Sequence, residues 1–263
     1  EVGILGLPNV GKSTLFRALT KVHVEAANYP FCTIDPNIGI VRLRDPRMIR
    51  LTELVGPDRV VPATLQIVDI AGLVKGASQG EGLENQFLSQ IRQVNAVAHV
   101  VRCFEDENVV HVDGRLDPVG DVGIIQTELI LSDLEQVERK IERLKRNIKG
   151  DRALAGELAA LERLRDHLDE GFLASKLALT TDEKEKVNEL SLLTLKPYVY
   201  IANISENRLN NPDESEQQLR ELAEKEGVDV IPICAQVESE LSEMDDDESM
   251  LFMEELGIGS SGL

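Results

Sequence analysis

Aromatic side chains are scarce. Phe, Tyr and Trp together make up 3% of the 263 residues, and Trp is absent. The interior must therefore be built from aliphatic residues. Cysteine is rare as well: Cys32, Cys103 and Cys234 are odd in number and show no CxxC spacing. That excludes a disulfide framework and a zinc ribbon, and it points to a reducing compartment. Basic charge is in short supply. Lys and Arg total 28 against 47 Asp and Glu, a formal net charge of −19. Such an excess argues against DNA or any general phosphate backbone as a partner, and leaves room only for a local basic patch. No apolar run reaches the 18 residues or so of a membrane span, and no signal peptide is visible. The expectation is a cytoplasmic protein without a membrane partner. His23, His99, His111 and His167 have no metal-ligand spacing, and His99, within an apolar strand, reads as a core residue.

What remains is ordinary for a globular chain, with 42% hydrophobic residues and enough length for one large domain or two small ones. Five apolar segments read as strands: residues 2–5, 65–69, 96–103, 197–202 and 228–234. Most are continuous apolar runs, as strands covered on both faces should be. Helix-prone stretches separate them. The alternation predicts an α/β fold with a mostly parallel sheet flanked by helices.

Residues 122–189 break that rhythm. Ile130, Leu134, Val137, Ile141, Leu144 and Ile148 repeat at spacings of three and four, and Leu154, Leu158, Leu161, Leu164 and Leu168 form a second seam. Gly150 and Asp151 separate the two. This predicts an antiparallel helical hairpin, a coiled coil inserted at 122–189 between two parts of one nucleotide-binding domain, 1–121 and 190–256. Two ordinary helices lying on the sheet are the alternative. Arg139, Lys140, Arg143, Lys145, Arg146, Lys149 and Arg152 cluster toward the hairpin tip. They read either as a basic face for ribosomal RNA or as solvated charges interleaved with Glu138 and Glu142. Residues 238–255 are strongly acidic and read as a solvated helix with an acidic loop. Residues 257–263, rich in Gly and Ser, read as a linker.

The segment Gly6-Leu7-Pro8-Asn9-Val10-Gly11-Lys12-Ser13 matches G-x-x-x-x-G-K-[ST], with a strand before it and a helix after. Such a loop cradles phosphates with its backbone N–H groups at a helix N-terminus. Lys12 should reach the β- and γ-phosphates and the Ser13 hydroxyl should ligate Mg²⁺. Asp69-Ile70-Ala71-Gly72 ends the second strand, placing a carboxylate for Mg²⁺ at Asp69 and a backbone N–H for the γ-phosphate at Gly72. Thr33, in a loop, is a candidate second ligand. The glycine-rich stretch 75–82 reads as a switch loop.

These pieces follow the order of a Ras-like P-loop NTPase. There, N-K-x-D reads guanine; here Asn203-Ile204-Ser205-Glu206 stands in its place. The extra methylene of Glu206 and the apolar Ile204 should weaken guanine selection. The glutamine that positions water after DxxG is replaced by Leu73, so intrinsic hydrolysis should be slow.

GLPNVGKSTLF, ANYPFCTID, VDIAGLVKGASQGEGL, HVVRCFED, TLKPYVYIANISE and PICAQVE occur in the order of the Obg-like ATPases, the YchF family. The chain resembles that family over nearly its whole length. The resemblance implies a Ras-like fold that prefers ATP to GTP, hydrolyses it slowly as a conformational switch and associates with ribosomes. It implies that Asn9, Val10, Gly11, Lys12, Ser13 and Thr14 hold the phosphates, with Lys12 as the catalytic cation, and that Ser13 and Thr33 ligate Mg²⁺. It implies that the Ile204 backbone contacts adenine and that Phe104 packs on the ring. Asn9 stands where potassium-stimulated NTPases have a K⁺ ligand, with loop capping as the alternative. Family members continue into a small β-rich TGS domain, which this sequence does not reach. Two other readings stay open: a GTPase of the Obg or Era type, and a nucleotide-stabilised binding module whose hydrolysis is incidental.

Overall fold

The structure is a computed structural model, and it describes residues 1–21, 37–43, 45–70, 82–105, 116–147, 152–259 and 261–262. Thr33, Gly72, Leu73, Cys32 and most of the 75–82 loop lie outside them. A six-stranded sheet forms the centre, in the order β2-β3-β1-β4-β5-β6. Its strands are β1 (Val2–Leu5), β2 (Ile38–Arg42), β3 (Thr64–Asp69), β4 (Ala96–Cys103), β5 (Tyr198–Ile204) and β6 (Val230–Ile233). All pair in parallel except β2, which runs antiparallel to β3. The mostly parallel sheet matches the expectation.

Strand β2 was not expected. The burial along it explains why: Ile38 is exposed while Gly39 faces inward, the reverse of a readable apolar alternation. A Cβ at Gly39 would overlap the Thr20 methyl of the helix behind it, so packing demands the residue that hides the pattern.

The helices are α1 (Lys12–Lys21), α2 (Pro46–Val55), α3 (Gly82–Gln93), α4 (Pro118–Asn147), α5 (Arg152–Asp169), α6 (Thr181–Asn188), α7 (Glu214–Glu226), α8 (Ala235–Leu241) and α9 (Asp246–Leu256). Local chemistry sets several ends. Asp45 caps α2 by accepting from the Arg47 N–H, Pro46 opens the helix and Gly56 closes it at φ 58°. Thr180 with Glu183, and Asp245 with Glu248, form capping boxes on α6 and α9.

Three apolar clusters hold these elements. One lies between the sheet and α1, α3 and the start of α4, and includes Ile4, Leu5, Ile70, Ile91 and Ile125. A second, with Tyr200, Leu219 and Val237, seats α7 and α8 on the sheet. The third joins α4 to α5 through Val137, Ile141, Leu144, Leu161, Leu164 and Leu168, the residues of the two predicted seams. Burying each such side chain stabilises the fold by about 1.5–3 kcal/mol. Helix α4 belongs to all three clusters: Ile125 and Leu129 pack in the first and Val122 in the second, while Ile130 onward faces α5. The expected boundary at residue 122 thus falls inside a single helix that begins at Pro118.

In the acidic segment, Glu238 is buried rather than solvated, accepting from the Ser261 hydroxyl at 2.6 Å and the Gly262 N–H at 2.7 Å. It ties the chain's last described residues to α8. On the hairpin, Lys140 pairs with Glu157 at 3.0 Å and Lys145 with Glu162 at 2.8 Å. Arg139 and Arg146 each have a glutamate one turn away. Four basic side chains of the cluster thus each face a carboxylate.

Candidate functional site

Strand order alone marks where a ligand should sit. From β1 the chain moves outward to β3 and β2 on one side, then crosses to β4 on the other. Ligands of open α/β sheets bind at such a reversal, beyond the carboxyl ends of the strands. The glycine-rich loop 6–13 leaves β1 at that point.

Its backbone is unusual where phosphate binding needs it to be. Gly11 has φ 97°, and Asn9 adopts the left-handed region at φ 61°, a conformation that non-glycine residues other than Asn and Asp seldom take. A Cβ at Gly6 would overlap the Val100 carbonyl of β4. Helix α1 then starts at Lys12 with no acidic residue in its first turn. Its N-terminal dipole is left uncompensated and suits an anion.

Lys12 is buried, and its ammonium donates to the Leu7 carbonyl at 2.7 Å. Burial pulls its pKa down to about 8, against an upward push from the Asp69 carboxylate. Asp69 is itself shifted upward, chiefly by burial, with the Ser13 hydroxyl and Lys12 acting the other way. The Ser13 Oγ donates to Asp69 Oδ2 at 3.1 Å. Asp69 is placed there by the sheet: it pairs with Ile4 of β1, and the Ile70 N–H donates to the Ile4 carbonyl at 3.1 Å. A cavity of about 290 Å³ opens over these groups, bounded also by Asn9, Asn37 and Gln90.

The remaining expected residues divide. Val10 is buried and contributes through its backbone, since its carbonyl accepts from Asn203 Nδ2 at 2.9 Å. Asn203 Oδ1 accepts from the Ala235 N–H at 3.0 Å. The Asn203 side chain thus joins the loop to the start of α8. Thr14 sits in the first turn of α1 and does not line the cavity. Ile204 ends β5 with its side chain buried, opposite Cys103 of β4, while Glu206 is exposed just beyond. Phe104 follows β4, with the Arg102 guanidinium 4.6 Å from its ring centre and the Arg102 Nε–H donating to its carbonyl at 3.0 Å. All of these lie at the carboxyl edge of the sheet, the edge that carries the loop.

Other singled-out residues are structural. His99 is buried, 5.5 Å from the Tyr200 ring, and burial drives its pKa down to about 3, so it is a neutral core residue. Cys103 and Cys234 are buried thiols, and burial pushes Cys103 up to about 12. Sequence reasoning missed Asn37, which borders the unexpected strand.

The family described as 50S ribosome-binding GTPase matches residues 1–146. Ribosome-binding ATPase YchF of Escherichia coli O157:H7 is 52% identical over 100% of this chain and 72% of its own length. The chain belongs to the YchF family. The YchF protein of Bacillus subtilis is 49% identical over 99% of the chain. The solved structure of the YchF GTPase of Schizosaccharomyces pombe superposes with a TM-score of 0.86 at 38% identity. It covers 99% of this chain, which in turn covers 72% of that one. That superposition takes in the sheet and both long helices together.

Proposed function

We propose that this chain is a Mg²⁺-dependent P-loop hydrolase that prefers ATP to GTP, turns it over slowly as a conformational switch, and acts at the ribosome. The observation that carries the reading is the grouping of Lys12, Ser13 and Asp69 on one cavity wall beneath a loop shaped for phosphate. The Ser13–Asp69 pair suits Mg²⁺, which takes hard oxygen ligands and is commonly held by one or two protein groups with phosphates completing the shell. Among the described residues no cluster of three or more His, Cys, Asp or Glu exists to build a metal cage, which fits a metal that arrives with the nucleotide. Bound there, Mg²⁺ neutralises charge developing on the phosphates. Lys12 supplies a second cation from a partly desolvated site, where its charge acts more strongly than in water.

The base preference rests on Ile204 and Glu206, which interrupt the guanine-reading pattern. The relatives' names differ on this point, ATPase for the bacterial proteins and GTPase for the yeast structure. Ribosome association rests on the names of the matching family and relatives. Asn9 borders the cavity, and a K⁺ role there is tested by exchanging K⁺ for Na⁺ in the hydrolysis assay.

A paired titration of Mg-ATP and Mg-GTP, on this chain and on Ile204→Lys/Glu206→Asp, tests the reading. Preference for ATP that shifts toward GTP in the double variant supports it. Preference for GTP in the unsubstituted chain overturns the base assignment and places the protein with the GTPases of the Obg type.

A further inference from the structure

Six of the eight residues of β4 are buried, and one of the six is a cation: Arg102, 4% exposed. Arginine is seldom buried within a strand, because its charge gives up hydration there. The side chain of Arg102 turns along the chain onto Phe104. Its Nε–H donates to the Phe104 carbonyl at 3.0 Å, and its guanidinium carbon lies 4.6 Å from the centre of the Phe104 ring. One side chain thus holds both the backbone and the ring of Phe104. The register of the sheet shows what that ring stands beside. Arg102 pairs with Asn203 and Cys103 with Ile204. Phe104 therefore leaves the sheet next to Ser205 and Glu206, in the stretch on which the base preference rests. On its other flank β4 pairs with β1, whose end opens into the phosphate loop. Phe104 is only half-buried, so part of the ring stays accessible while the guanidinium lies over it.

We propose that Arg102 is a positioning residue for nucleotide binding: it holds the Phe104 ring in place as a stacking surface for the base. The inference rests on the nucleotide-binding reading above and is independent of whether the base is adenine or guanine. A guanidinium is planar, always charged and suited to lie on an aromatic face, where the ring quadrupole attracts it. The Nε–H bond fixes the backbone from which the ring projects. A side chain held in advance has little freedom left to lose when the base arrives. Stacking on an aromatic ring tolerates any base, since every base has a π-face. Arg102 therefore serves affinity, and the choice of base is left to Ile204 and Glu206.

The test is Arg102→Lys in the full chain, alone and combined with Phe104→Leu, beside Phe104→Leu by itself. Lys keeps the buried cation but loses the planar face and the Nε–H. Calorimetry measures the binding of Mg-ATP, Mg-GTP and Mg-tripolyphosphate, the last carrying phosphates without a base, and the thermal midpoint checks folding. Arg102→Lys is expected to weaken ATP and GTP alike by at least fivefold and tripolyphosphate by less than twofold. Phe104→Leu is expected to do the same. With Leu at position 104 there is no ring to hold, so adding Arg102→Lys should weaken ATP by less than a further twofold. Equal losses of ATP and tripolyphosphate overturn the inference, because they place the effect at the phosphate loop. An ATP affinity within twofold of the unsubstituted chain overturns it too, as does an Arg102→Lys effect of the same size with and without the ring. Phe104→Leu with unchanged affinity for both nucleotides overturns it whether or not Arg102→Lys folds. Should the unsubstituted chain bind neither ATP nor GTP, the nucleotide reading falls and takes this inference with it; normal binding that is indifferent to Arg102 removes this inference alone.

Discussion

The side-chain amide of Asn203 reaches the Val10 carbonyl at 2.9 Å across 193 residues of sequence, while its oxygen receives the Ala235 N–H at 3.0 Å. One carboxamide thus fastens the phosphate loop to the far side of the sheet. A Cβ at Gly11 would overlap that amide, so the glycine keeps the tie possible. Asn203→Ala leaves a buried carbonyl and a buried N–H unpaired, at about 1–3 kcal/mol each. We expect a lower midpoint of thermal unfolding and at least tenfold weaker binding of ATP and GTP alike. A loss confined to one base would show that Asn203 reads the base instead of holding the loop.

Burial sets the pKa of Lys12 at about 8 in the ligand-free protein. Above that pH the ammonium loses its proton and must regain it to bind phosphate. Nucleotide affinity is therefore expected to be flat below pH 7 and about tenfold weaker at pH 9, one unit beyond the pKa. Lys12→Arg, charged throughout, should flatten the profile. The sign for folding is opposite. A lysine with a lowered pKa costs the native state stability at neutral pH, and that cost fades as pH rises from 8 toward the unfolded value of 10.5. Calorimetric titration between pH 6 and 9 checks the first effect, and an affinity that holds level to pH 9 would sink it.

Ser13 and Asp69 present two oxygens 3.1 Å apart, a pair that a divalent cation can bridge once the hydroxyl turns its proton away. Removing Mg²⁺ with a chelator is expected to weaken ATP binding by tenfold or more. Asp69→Asn, which keeps the shape and halves the donor strength, should make binding largely indifferent to the chelator. If Asp69→Asn retains the full Mg²⁺ dependence, Asp69 does not hold the metal.

Asp133 anchors the helical insertion. Wholly buried on α4, it accepts from the N–H groups of Leu193 and Thr194 at 2.9 and 2.8 Å and from the Thr194 hydroxyl at 2.8 Å. Arg92 of α3 stands 3.5 Å away and donates to Ser132 and to the Ser191 carbonyl. Asp133→Ala strands these donors and an arginine. The expected loss is about 3–5 kcal/mol, read as a lower urea midpoint at constant slope. A shift under 1 kcal/mol would mean that solvent replaces the carboxylate at little cost.

Much of this site was legible before any fold was known. The phosphate loop reads directly because its chemistry is local: residues 6–13 supply the glycines, the lysine and the hydroxyl in one turn. The two seams of α4 and α5 read equally well, since helical packing imposes a period of three and four. Residues whose role depends on distant partners did not read. Nothing near Asn203 in sequence announces Val10, nothing near Glu238 announces Ser261, and β2 escaped because Thr20 obliges Gly39 to face inward.

By itself, then, the sequence determined the parallel α/β class, the phosphate loop and the family, because each depends on short-range pattern. Only the tertiary structure decided that Asp69 meets Ser13, that Asn203 supports the loop from behind, that the hairpin charges pair among themselves, and that Gln90 enters the cavity. Those contacts join segments tens to hundreds of residues apart. Their geometry is set by sheet order and helix packing, which no local pattern encodes.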